Sequence, residues 1–148
     1  MTSDVLELYQ QVILEHNRHP RNFRTIEGGR RAEGHNPLCG DQLTIHVLID
    51  RGIVVDAGFQ GSGCAISRAS ASLMTDRVRG LDVADAGSLA ARFDRLVTSP
   101  AGSPVEDLGT LTVFAGVRRF PVRAKCALLA WRTLAAAIDA REETVSTE

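Results

Sequence analysis

Cysteine is scarce in this chain, three among 148 residues. An odd number at wide spacing does not make a disulfide framework, so a reducing compartment, the cytoplasm, is expected. No apolar run approaches the roughly twenty residues a membrane span needs, and the N-terminus has no signal-peptide pattern. Neither sign of charge is in excess. A net charge of −1 argues against nucleic acid or an anionic membrane as the main partner. There is no internal repeat and no phosphate-binding glycine loop. Ser67, Ser70 and Ser72 lack a Gly-x-Ser-x-Gly setting and a suitably spaced base, which argues against a serine hydrolase. Residues 1–148 fit one domain, large enough to bury a core without disulfide staples.

The patterns that are present predict a mixed fold. Val5, Leu8, Tyr9, Val12 and Ile13 recur at helical spacing, with Asp4 and Glu7 resembling a capping box. This helix should end near His16-Asn17, ahead of His19-Pro20. A short edge strand is expected near Arg30 to Gly34. Leu43, Ile45, Val47 and Ile49 alternate with Thr44, His46 and Leu48, as in a half-buried strand, and a second strand runs from Ile53 to Phe59. Asp50-Arg51-Gly52 reads as the hairpin turn between them.

With Arg51 and Gly52 as the loop residues, the register places Cys39 opposite Cys64 and Asp41 opposite Ser62. After Cys64 a helix carries Ile66, Ala69, Leu73 and Arg77 on one stripe and stops near Arg79-Gly80. Asp82 is placed to cap another, with Leu89, Phe93 and Leu96 on its buried side. Residues 99–104 (SPAGSP) read as a loop, 106–116 as short helical turns, and Pro121 as the start of a last helix reaching about Ala140. The charged tail, 141–148, is expected to fray.

Chemistry concentrates at the cysteines. Cys39 and Asp41 lie two apart at an extended strand entrance, so they point to one side, and a thiolate and a carboxylate so placed can share a cation. A buried cysteine beside a turn aspartate is the competing explanation. Cys64 follows Gly61-Ser62-Gly63 at a helix start, where backbone N–H groups favour thiolate. Cys126 shares a stripe with Val122, Leu129 and Ala130, so a core cysteine is locally the better explanation. Arg123, three residues earlier, falls on the same side and would be costly there without an anionic partner. Lys125 faces another way, as solvated surface. His16, His19 and His46 read as capping or surface residues, and His35 is held as a reserve ligand. The residues thus point to one zinc ion or one iron–sulfur centre.

Four stretches in order, HNRHPRNF (16–23), NPLCGDQ (36–42), GSGCAISRASAS (61–72) and FPVRAKCALLAW (120–131), resemble the U-type iron–sulfur scaffold proteins and, within them, the SufU-like branch. The resemblance implies a compact α+β fold, a small antiparallel sheet of about three strands packed by helices, with the metal site at one edge. It implies the ligand set Cys39, Asp41, Cys64 and Cys126. Lys125 stands where IscU-like proteins carry histidine, the spacer from Cys64 to Cys126 is long, and a Leu-Pro-Pro-Val-Lys chaperone signal is absent.

The expected function is therefore that of a zinc-dependent sulfurtransferase, one zinc per chain. It would take persulfide sulfur from a SufS-type cysteine desulfurase onto Cys39, with Arg123 docking the partner or steadying the anionic site. The alternative is a scaffold that builds and hands on a [2Fe–2S] cluster. A chain monomeric by itself, with downstream iron–sulfur assembly proteins as further partners, completes the expectation.

Overall fold

The computed structural model describes residues 3–141 and 143–147, with the side chains of residues 3–6 outside the description. Helix α1, Ser3–Arg18, leads into β1, Arg30–Asn36, β2, Asp41–Asp50, and β3, Ile53–Ser62. Then follow α2, Ala65–Val78, α3, Val83–Thr98, a 3-10 segment, Gly109–Arg119, α4, Pro121–Ile138, and β4, Val145–Ser146. The backbone of α1 is already helical at Ser3, and the proposed capping side chain of Asp4 lies outside the described residues.

The sheet has four strands rather than three, in the order β3-β2-β1-β4. The fourth comes from the tail expected to fray: Val145 and Ser146 pair parallel with Gly34 and His35, and Thr147 N–H reaches His35 O at 3.3 Å. A two-residue strand carries no periodic signal, so the β1 edge that receives it, not its own sequence, defines it.

Arg51 and Gly52 both have positive φ, 53° and 77°, the geometry a two-residue hairpin turn needs. Asp50 faces Ile53 and Ile49 faces Val54 as the sequence predicts. Beyond that the register slips by one, because Val55 is the extra residue of a β-bulge and Leu48 faces Asp56. Ser62 therefore faces Gln42, not Asp41, and the predicted Cys39–Cys64 pairing across the hairpin does not form. Cys39 sits instead in the four-residue loop 37–40 between β1 and β2.

Helices α2 and α4 cover one face of the sheet, with α1 against α2 and α3 against α4. Helix α2 is buried on most sides, which accounts for its run of Ala and Ser. Sequence reasoning gave it one stripe; packing against α1, α4 and β3 together leaves it little solvent face. The core joins Ile45, Val47 and Phe59 of the sheet to Met74, Phe93, Phe114, Leu129 and Trp131, with Phe93 stacked on Trp131 at 4.8 Å. Asp82 caps α3 by accepting Asp85 N–H at 2.7 Å. The SPAGSP loop is tied down by Arg118, whose guanidinium donates to Leu96 O, Ser103 O and Pro104 O.

Two histidines depart from expectation. His46 is buried, 6% exposed, on the sheet face away from the helices, and burial lowers its pKa. His16 is also buried, with Nδ1 2.7 Å from Ser72 Oγ, which in turn accepts Arg21 N–H at 2.8 Å. That pair fastens the end of α1 to α2, and burial again lowers the histidine pKa.

Candidate metal centre

The cysteines meet where the β1–β2 loop, the start of α2 and the first turn of α4 converge. Pro121 opens α4 at a position where its missing N–H costs nothing, and Cys126 follows about one turn later. Cys126 is buried, Cys64 half-buried and Cys39 exposed. The Sγ atoms of Cys39 and Cys126 are 3.2 Å apart. Ligand atoms of Cys39, Asp41 and Cys126 all lie within 4.8 Å of one another, the one such Cys/His/Asp/Glu group among the described residues.

Cys64 adjoins this group without belonging to it by that measure. Its N–H donates to Asp41 Oδ1 at 2.8 Å, and its thiol is hydrogen-bonded with that of Cys126. That contact, aided by the N–H groups of Ser67 and Ile66 at the start of α2 and opposed by burial, lowers its pKa from 9.0 to about 7. The same contact, together with burial and the proximity of Cys39 and Asp41, pushes the Cys126 thiol up. Asp41 is fully buried, with its two oxygens held by Cys64 N–H and by Asn36 Nδ2 at 3.3 Å.

The donor set suits a thiophilic divalent ion. With metal–sulfur bonds of about 2.3 Å a tetrahedral site has edges of about 3.8 Å, and the spread of donors brackets that length. Gly63 is part of the cradle: a Cβ there would meet Asp41 Oδ1 at 2.8 Å and Ser67 Oγ at 2.6 Å.

The other predicted residues divide. Arg123 is exposed, not set on a buried stripe, and its guanidinium lies over the Phe120 ring, 4.5 Å from the centroid. The helix rotates Val122, 48% exposed, and Arg123 outward together, so no desolvation forces an anionic partner on Arg123. Lys125 is half-buried. His35 is outside the group; it lines a cleft of about 370 Å³ with Glu33, Gln42 and Thr44. Leu38 beside Cys39, together with Phe120 and Val122, gives the site exposed apolar neighbours.

Two residues escaped sequence reasoning. Asn36 is fully buried and bonds both Asp41 and Cys126; only its place at the head of NPLCGDQ hinted at it. Tyr9, expected only as core, lies close enough for Arg123, Cys64 and Cys126 to act on its hydroxyl, whose pKa burial raises.

Comparison with known proteins places the chain in a family. The NifU-like N terminal domain family matches residues 8–146. The zinc-dependent sulfurtransferase SufU of Bacillus subtilis (strain 168) is 39% identical over 136 residues, covering 92% of both chains. The iron–sulfur cluster assembly scaffold protein IscU of Streptococcus pyogenes serotype M1 is 37% identical over 92% of this chain and 86% of its own. Among solved structures, a candidate iron–sulfur cluster assembly scaffold protein for the SUF system from Fervidobacterium islandicum AW-1 superimposes with a TM-score of 0.81. It is 31% identical, covering 89% of this chain and 97% of that one. The chain belongs to the NifU-like N-terminal domain family and is of the SufU/IscU type.

Proposed function

We propose that this protein is a zinc-dependent sulfurtransferase of iron–sulfur cluster assembly, with Cys39, Asp41, Cys64 and Cys126 as zinc ligands. The observation that carries the reading is the single exposed thiol, Cys39, touching a buried one, Cys126, at 3.2 Å. Such an arrangement holds a sulfur in a metal site while leaving it open to a partner. The relationship to the B. subtilis sulfurtransferase supports it. Bound zinc supplies Lewis acidity that keeps these thiols ionised at neutral pH.

The partner is a SufS-type cysteine desulfurase carrying a persulfide. The Cys39 thiolate attacks the terminal sulfur, the S–S bond of the desulfurase persulfide breaks, and the desulfurase leaves as thiolate. One sulfane sulfur moves and no external oxidant or reductant is required. Loop 37–40 lets Cys39 move without disturbing a helix, whereas Cys64 caps the start of α2 and Cys126 lies within α4. Arg123 and Phe120 flank the approach, and the chain then passes sulfur to downstream assembly proteins.

The test is desulfurase turnover with wild type and Cys39→Ser, with mass spectrometry for an added sulfur on Cys39. Loss of both stimulation and persulfide is expected in the variant; full stimulation by Cys39→Ser overturns the transfer step. The similarity to the S. pyogenes scaffold favours a second reading, a [2Fe–2S] cluster on the same donors. Stoichiometric iron and sulfide in anaerobically purified protein, in place of one zinc per chain, selects it.

A further inference from the structure

Asn36 reaches every member of the candidate metal group. It is the last residue of β1 and pairs with Asp41, the first of β2, so the pair forms the rung from which the Cys39 loop hangs. Its backbone carbonyl accepts Cys39 N–H at 3.3 Å. Its side-chain Nδ2 donates to Asp41 Oδ2 at 3.3 Å and to Cys126 Sγ at 3.3 Å. The residue is fully buried, yet Oδ1 has no partner. A buried amide that spends its N–H bonds on a carboxylate and a sulfur, leaving its acceptor unsatisfied, is aimed at two donor groups of the candidate metal site.

We infer that Asn36 is a positioning residue of the metal centre, holding Asp41 and Cys126 in ligand geometry and setting the reach of the Cys39 loop. This rests on the zinc-centre reading above. Donors that orient metal ligands typically matter by a factor of about 10–100 in affinity.

Asn36→Ala removes the amide, and Asn36→Leu keeps its branched shape while removing every side-chain hydrogen bond; the backbone bond to Cys39 N–H stays in both. Zinc affinity is measured by chelator competition on the full chain, and both variants are loaded with cobalt(II) for its ligand-field and sulfur-to-metal charge-transfer bands. A loss of affinity of about tenfold or more, with altered cobalt bands, is expected in whichever variant folds. The melting temperature of the metal-free chains separates this from a packing role, which would lower stability without moving the spectrum.

Wild-type affinity and cobalt bands in a folded variant overturn the inference while leaving the zinc centre standing. A wild-type chain that takes up neither metal overturns both. A readout without variants is the wild type loaded with a spin-half cadmium isotope. Scalar coupling from the Asn36 amide protons through Cys126 sulfur is expected, and its absence counts against the inference.

Discussion

Asp41 Oδ1 accepts the backbone N–H of Cys64 at 2.8 Å, so the carboxylate that opens β2 also fixes the turn into α2. Two effects therefore overlap in Asp41→Ala. The proposed zinc centre loses its oxygen donor, and a partly buried N–H loses its acceptor, worth about 1–3 kcal/mol. Asp41→Asn separates them, since it keeps an acceptor but removes the charge. We expect both variants to bind zinc more weakly in chelator competition, and only Asp41→Ala to lower the melting temperature of the metal-free chain appreciably.

Arg123 contributes no ligand atom and is exposed over Phe120. Arg123→Ala should therefore retain one zinc per chain by metal analysis and melt like wild type. Desulfurase stimulation should fall, through a higher half-saturating concentration of this protein. An unchanged concentration dependence would remove Arg123 from the docking surface.

In the metal-free chain Cys64 titrates near pH 7 rather than at 9.0. A depressed pKa means the folded state favours the thiolate. Its contribution to stability is complete above pH 9, shrinks below it, and is gone once the pH has fallen through 7. Cys126, shifted upward, works in the other direction: unfolding frees its thiol to ionise, which erodes stability above pH 9. The alkylation rate of Cys64, mapped by peptide mass spectrometry, should have its midpoint near pH 7. A midpoint near 9 would show that the thiol is not held as thiolate.

Gly34 lies where β1 packs against α4. A Cβ there would meet Thr133 Oγ1 and, at 2.9 Å, Leu129 Cδ1. Gly34→Ala should cost about 1–3 kcal/mol in denaturant unfolding, as overpacking does. It should also weaken zinc binding, because it parts the strand that carries Asn36 from the helix that carries Cys126. Wild-type stability would show that the two elements can separate freely.

Removal of zinc should lower the melting temperature, since the donors come from three separate elements. The far-ultraviolet circular dichroism should nevertheless stay that of a folded chain. The core of Ile45, Phe59, Phe93 and Trp131 contains none of the candidate ligands. Collapse of the spectrum on chelation would assign the ion a folding role.

Local physics made much of this visible in the sequence. Helical stripes located α1, α3 and α4, a capping aspartate marked α3, and Arg51-Gly52 marked the hairpin. What stayed hidden depended on partners far along the chain. The bulge at Val55 leaves apolar alternation nearly intact while moving every later pair by one. His46 sits on the face that alternation assigns to solvent, yet it is buried, and His16 finds Ser72 across 56 positions. The convergence of Cys39, Asp41 and Cys126 came from family motifs; the hairpin arithmetic offered for Cys39 and Cys64 reached proximity by a register the strands do not adopt.

The 87 positions between Cys39 and Cys126 also order events on the ribosome. The nascent chain presents Cys39 in the β1–β2 loop, Asp41 at the start of β2 and Cys64 at the start of α2 well before α4 is made. Until then the site is an open half with two sulfurs, and Asn36 lacks the sulfur it is positioned to bond. With the proposed zinc centre, metal capture would wait for the last helix, and a half-made chain would compete poorly for zinc with the finished one. Ribosome-bound chains halted before residue 126 should release zinc to a chelator that full-length protein withstands; equal retention would show that the half-site suffices.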